Sequence, residues 1–227
     1  MAGKRTVNNL MALAVLATVY QRPMHRYEMA TVMKAQGKDR DMDVKWGSLY
    51  TVVQSLEKAN FLEATGTSRQ GARPERTTYR ITEAGVAEMV DWAQELLRVP
   101  EHEHPRFTAG LSLLSVLAPD TVIELLQQRL VALDASVAAQ KAELAEFSAQ
   151  IPRLFMIETE YAIAMTEAEA SWVGALLVEL VNGTFPGLDG WASFHTTGVI
   201  PPELAELAER GIEAGHPHET PARDTRS

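Results

Sequence analysis

The stretch that most restricts the fold is an amphipathic helix followed at once by a β-hairpin. From Trp46 to Ala59, the residues Leu49, Val52, Val53 and Leu56 recur at helical spacing and form one apolar stripe. The other face carries Ser48, Tyr50, Thr51, Gln54, Ser55 and Lys58. Hydroxyls and an amide on that face suit hydrogen bonds to phosphates and base edges, although an ordinary solvent-facing helix has a similar composition. Two β-prone runs follow, residues 61–65 and 77–82, around a loop with Gly66, Gly71 and Pro74. This is the signal of a long-looped hairpin. Arg69, Arg73 and Arg76 crowd its tip against the single acid Glu75.

A polar-faced helix that enters the major groove, with a basic hairpin on the backbone, is the order of a winged helix-turn-helix. The preceding residues supply the missing helices. Asn9 is expected to cap a helix through Tyr20, with Leu10, Leu13, Ala14 and Ala17 inward and Pro23 ending it. Met24 and His25 form a short turn, with His25 fixing it by hydrogen bonding. A second helix, residues 27–36, turns Met29, Ala30 and Met33 inward and stops at Gly37. Residues 38–45 are a charged connector, and Tyr27 and Tyr79 are expected as core aromatics.

The net charge of −9 conceals a division. Residues 1–86 hold 13 Lys and Arg against 8 Asp and Glu, a net of +5, and the remainder holds 8 against 22, a net of −14. A basic reader of nucleic acid joined to an acidic appendage has this asymmetry. With no cysteine, disulfides, thiolate zinc sites and cysteine nucleophiles are excluded. The apolar runs are too short to span a bilayer, and the N-terminus lacks a signal-peptide pattern, so a cytoplasmic address without membrane attachment is expected.

Four blocks resemble the PadR family of transcriptional regulators: Asn9-Leu10-Met11-Ala12-Leu13-Ala14-Val15-Leu16, Pro23-Met24-His25-Arg26-Tyr27-Glu28-Met29, Gly47-Ser48-Leu49-Tyr50, and Arg73-Pro74-Glu75-Arg76-Thr77-Thr78-Tyr79-Arg80-Ile81-Thr82-Glu83-Ala84-Gly85. The resemblance covers residues 9–86, and the helix pattern beyond them is similar to the family's longer-tailed branch. It implies a homodimeric, usually repressing regulator that loses DNA affinity on binding a small molecule. It also implies phosphate or base contacts for Ser48 and Tyr50 and a wing contact for Arg73. Arg26, where Gly or Pro is usual, and Trp46, where a small residue or proline is common, depart from the pattern next to the expected DNA face. The expected DNA-binding set is Ser48, Tyr50, Thr51, Gln54, Lys58, Arg69, Arg73 and Arg76.

From Ala84 a helix is expected to carry Val86, Met89, Val90, Ala93 and Leu97 inward and to end before Pro100. Glu101-His102-Glu103-His104 reads as a solvated linker, because a third well-placed metal ligand is missing. Residues 119–150 then present Ile123, Leu126, Leu130, Leu133, Val137, Gln140, Leu144, Phe147 and Ile151 at alternating spacings of three and four. That is a heptad seam with one polar position, and Leu126, Leu130, Leu133, Val137, Gln140 and Leu144 are the expected dimerisation residues. Pro152 is expected to open a second long helix to Asn182, with Leu154, Ile157, Tyr161, Met165, Ala168, Trp172, Ala175 and Leu176 inward. The pair makes an antiparallel hairpin whose uncovered stripe calls for a partner hairpin. Phe185, Leu188, Trp191 and Phe194 are expected to pack on it.

The expected architecture is mainly α with a small β wing: an N-terminal winged helix-turn-helix and a C-terminal long-helix antiparallel hairpin. Residues 1–99 form the DNA-binding part, 100–118 a linker, 119–213 a helical dimerisation and sensing part, and 214–227 a disordered tail. The function read from this is a dimeric repressor of inverted-repeat operator DNA, released by a small aromatic effector. The alternative is a winged helix that binds a protein. No enzyme signature and no cofactor motif are present. Trp92, Trp172 and Met165 are the expected ligand-lining residues, with Met156 adding pliancy; the competing reading makes the tryptophans core volume.

Overall fold

The computed structural model describes residues 5–38, 42, 45–68 and 76–200. The chain divides into two compact units, Met1–Glu103 and His104–Ser227, and is mainly helical with one small antiparallel sheet. The first unit contains α1 (Leu10–Gln21), β1 (Met24–His25), α2 (Arg26–Ala35), a 3-10 turn (Trp46–Ser48), α3 (Leu49–Lys58), β2 (Leu62–Ser68), β3 (Arg76–Ile81) and α4 (Glu83–Arg98).

Asn9 caps α1, its Oδ1 accepting from the Met11 N–H at 2.8 Å. Met11 to Leu16, Thr18 and Val19 are buried, whereas Leu10 and Ala17, expected inside, are exposed. The reason is that α2, α3, α4 and β3 all pack on α1. A helix enclosed on several sides has no single inner stripe. Met24 and His25 form β1 rather than a turn, pairing with Tyr79 and Thr78 of β3, so the sheet order is β1-β3-β2. His25 holds the junction as expected, its Nδ1 accepting from the Glu28 N–H at 3.1 Å. β2 runs past residue 65 to Ser68, with a bulge between Ala64 and Gly66.

The wing passes into α4 through Thr82. Its Oγ1 accepts from the Gly85 N–H at 3.0 Å and donates to the Asn60 carbonyl at 2.7 Å. The inner line of α4 runs through Gly85, Met89 and Trp92, while Val90, Ala93 and Leu97 face outward. Apolar residues lie on both sides of this helix, and the core takes the side that Gly85 lets approach. Trp92, expected at a ligand site, is 4% exposed and belongs to this core. Arg5 covers it, with the guanidinium 5.2 Å from the ring centre. Arg5 also bridges Glu88 at 2.7 Å, Asp91 at 3.0 Å, and Glu95. Burial opposes the charge on Arg5, but hydrogen bonds to Glu88, Glu95 and Asp91 outweigh it and raise its pKa above the ordinary value. Tyr79 is core at 2% exposure, but Tyr27 is outside the core at 75%.

The second unit contains α5 (Arg106–Leu111), a 3-10 turn (Leu114–Val116), α6 (Pro119–Phe147), a 3-10 turn (Arg153–Phe155), α7 (Ile157–Val181) and α8 (Leu188–Thr197). Helices α6 and α7 pack along each other as the expected hairpin. Pro152 opens the 3-10 turn, so α7 starts later than its proline suggested. Helix α8, bounded by left-handed Gly187 and Gly198, fastens to the chain before α6: the Trp191 Nε1 donates to the Leu117 carbonyl at 2.9 Å. Residues 201–227, the end of the expected sensing part and the tail, lie outside the described residues.

The core of this unit joins Val122 and Leu126 of α6 to Val173, Leu177 and Leu180 of α7 and to Trp191, with Leu130 and Leu133 partly buried against it. The first part of the expected seam, Ile123 to Leu133, is therefore packed within the chain, because α7 closes on it. Val137, Gln140 and Leu144 continue it half-buried, and the Gln140 amide donates to Ser136 on its own helix at 2.9 Å. Most of the expected inner line of α7 is instead the outer one: Leu154 in the turn before it, and Ile157, Tyr161, Met165, Ala168, Trp172 and Ala175, are exposed, while Leu176 packs partly against the core.

Candidate nucleic-acid interface

The buried stripe Leu49, Val52, Val53 and Leu56 seats α3 on the core and fixes which residues face outward. Tyr50, Thr51, Gln54 and Lys58 then fall within an arc of about 100°. Tyr50, Thr51 and Lys58 are exposed and Gln54 is half-buried. The structure brings these four together on one face. Ser48 behaves differently. Its hydroxyl donates to the Lys45 carbonyl at 2.7 Å and lies 3.3 Å from the Met11 sulfur, so it secures the turn that starts α3.

The wing rises beside α3 as β2 and β3, and its strands are tied by the Glu63–Arg80 ion pair. Arg76 stands at the start of β3. Arg69 and Arg73 lie outside the described residues, as does most of the 38–45 connector.

Sequence reading missed the part played by α2. The Arg26 guanidinium stacks on the Tyr50 ring at 4.0 Å and stands 5.1 Å from the Tyr79 ring. It donates a hydrogen bond to the Tyr79 hydroxyl, while its buried Nε meets no acceptor among the described residues. Farther along α2, the Lys34 ammonium lies 4.8 Å from the Trp46 ring. The only signal in the sequence was that Arg26 and Trp46 were unusual at their positions; spacing along the chain gave no hint that each was paired. Near the start of α2, Arg22 pairs with Glu28 and lowers its pKa by hydrogen bonding.

Of the expected ligand-lining residues, Trp172 is 50% exposed on α7 and Met165 is exposed two turns before it. Phe107 meets Trp172 edge-on at 6.2 Å, and Arg129, bonded to Glu169 at 2.6 Å, covers the Phe107 ring at 3.7 Å. Met156 is buried. Among the described residues, no helix is long and apolar enough to cross a membrane.

Residues 15–91 match the model of the transcriptional regulator PadR-like family. No curated protein matches in sequence. Among solved structures, the chain is similar to Bacillus subtilis PadR in complex with operator DNA, with a TM-score of 0.62, 19% identity, and coverage of 75% of this chain and 99% of that one. The same protein in complex with p-coumaric acid gives 0.62 at 17% identity, covering 75% and 98%. The Vibrio cholerae virulence activator AphA gives 0.56 at 16% identity, covering 76% and 98%. The family model thus lies across the helix-turn-helix and wing described above, and over these residues the chain is similar to PadR-like transcriptional regulators.

Proposed function

We propose that the protein is a dimeric repressor that binds an inverted-repeat operator and is released by a small aromatic ligand. The observation that carries the DNA half is the shared outer face of Tyr50, Thr51, Gln54 and Lys58 on a helix seated beside the wing. The +5 charge of residues 1–86 supports it, as does the operator complex of the similar B. subtilis protein. Tyr50, Thr51, Gln54 and Lys58 serve the groove, and Arg69, Arg73 and Arg76 serve the backbone. Residues 1–99 read DNA, 100–118 link, 119–213 dimerise and sense, and 214–227 form the tail.

The exposed apolar line on α7 supports dimerisation; Leu126, Leu130 and Leu133 pack in the chain's own hairpin, whereas Val137, Gln140 and Leu144 stay half-buried and extend the interface in this reading. Dimer geometry sets the two recognition helices about 34–36 Å apart or a multiple of it, one DNA turn each. A ligand that prefers another packing of the hairpins breaks this match, and by linkage DNA weakens ligand binding equally. Trp172 and Met165 are the sensing residues in this reading. Their support is an exposed ring with Phe107 against it and the p-coumaric acid complex of the similar protein.

The test is duplex binding across a salt series, using the DNA upstream of the chain's own coding region. Binding through several phosphates falls linearly in log–log form, by about 0.9 in slope per phosphate. A flat series would favour the protein-binding alternative. Release of the bound duplex by p-coumaric acid, used as a probe, tests the ligand half.

A further inference from the structure

Arg26 joins the two parts of the molecule that would face DNA. It starts α2, stands over the Tyr50 ring in the first turn of α3, and donates to the hydroxyl of Tyr79 in the wing strand β3. Base edges are read mainly by the N-terminal residues of a recognition helix, so Tyr50 is where a small change in posture matters most. An exposed tyrosine without a neighbour exchanges among rotamers within nanoseconds. A stacked guanidinium favours one arrangement by about 2- to 30-fold.

The remaining geometry of Arg26 points away from a purely stabilising role. Its Nε is buried without an acceptor among the described residues, an arrangement that costs stability. Lys34 on Trp46 repeats the device from the same helix, just before α3 begins. Two cations of α2 thus grip the aromatic residues on either side of Gly47, Ser48 and Leu49.

We propose that Arg26 is a positioning residue for sequence discrimination: it fixes the posture of Tyr50 and ties it to the wing through Tyr79. With one ring face covered by the guanidinium, Tyr50 meets DNA with its other face, its edge and its hydroxyl. This inference rests on the DNA-binding reading above.

The test first enriches a duplex from a random-sequence pool with the wild-type protein. Affinities for that duplex and a scrambled one are then measured for wild type, Arg26→Met, Arg26→Lys, Tyr50→Leu and the double variant Arg26→Met/Tyr50→Leu. Arg26→Met is expected to lower the enriched-to-scrambled ratio by about 10-fold, with Arg26→Lys recovering only part because an ammonium does not lie flat on a ring. In the Tyr50→Leu background, Arg26→Met should change the ratio by less than about 2-fold, the mark of a coupled pair. In the unliganded protein, the NMR signals of the Arg26 side chain should lose the larger part of their ring-current displacement on Tyr50→Leu, the remainder coming from the Tyr79 ring; the change is exposed and leaves the core intact. Independent effects of the two substitutions, or equal weakening on both duplexes, would overturn the positioning role. Failure of the wild-type protein to enrich any sequence would instead overturn the DNA-binding reading, and this inference with it.

Discussion

A Cβ added to Gly85 would stand 2.2 Å from the carbonyl oxygen of Phe61 and 2.9 Å from the Ile81 side chain. The close approach is what lets Thr82 hold Asn60 and Gly85 at once, and so sets where α4 leaves the wing. Gly85→Ala forces backbone to move rather than a side chain. It is expected to cost about 3 kcal/mol, at the upper end of overpacking changes. Urea unfolding measures this, and an unchanged midpoint would mean that the wing shifts without strain.

Arg5 carries a second prediction. Its side chain is 10% exposed, stacks on Trp92 and faces Glu88, Asp91 and Glu95 together. Arg5→Ala leaves these carboxylates facing one another and uncovers the indole. The expected loss is about 2 kcal/mol, below the cost of a fully buried broken pair because Asp91 is well exposed. Arg5→Lys should recover the charge but little of the stacking. If alanine and lysine variants unfold at the same urea concentration as wild type, the cluster contributes nothing to stability.

The fold was legible where one periodicity had one partner. Asn9, Gly37 and the stripe Leu49, Val52, Val53 and Leu56 all stand as their local chemistry requires. The reading slipped where tertiary packing chose between faces. Leu10 and Ala17 point outward because α1 is enclosed by other elements, and the apolar line from Ile157 to Trp172 is exposed because Val173, Leu177 and Leu180 serve the hairpin instead. Periodicity finds apolar faces but does not say which of two lies inside. The cationic side of the candidate interface was harder still. Arg26 and Tyr79 are 53 residues apart, and nothing local in either marks the other.

Glu28 gives a pH prediction. Its hydrogen bond from Arg22 lowers the folded pKa below the ordinary carboxylate value. A lowered carboxylate contributes stability that is full above the unfolded value and is lost as pH falls through the folded one. Arg22 is 55% exposed, so the contribution is small and screened by salt. The stabilities of wild type and Glu28→Gln should therefore differ near neutral pH and converge in acid below the ordinary carboxylate range. Curves that stay parallel into acid would show that the pair does not act through ionisation.

The outer line of α7 makes the last prediction. Ile157, Tyr161, Met165 and Trp172 recur at helical spacing and are respectively 51%, 67%, 49% and 50% exposed. Ala168 and Ala175 on the same line leave room for a facing helix to approach. Tyr161→Asp places a charge within this line without touching the hairpin core. If a second copy covers it, sedimentation should show monomers with unchanged helix content. Operator affinity should fall by about 100-fold or more, because each half-site then binds without the effective concentration supplied by its partner. Trp172→Ala separates sensing from packing. A core tryptophan would cost about 3–5 kcal/mol on truncation. With half its surface outside, this one should cost about 1–2 kcal/mol by the area it buries. The variant is then expected to keep enough dimer to bind operator while losing release by p-coumaric acid. A Trp172→Ala protein that is still released as wild type is would remove Trp172 from the sensing role, whatever its effect on stability.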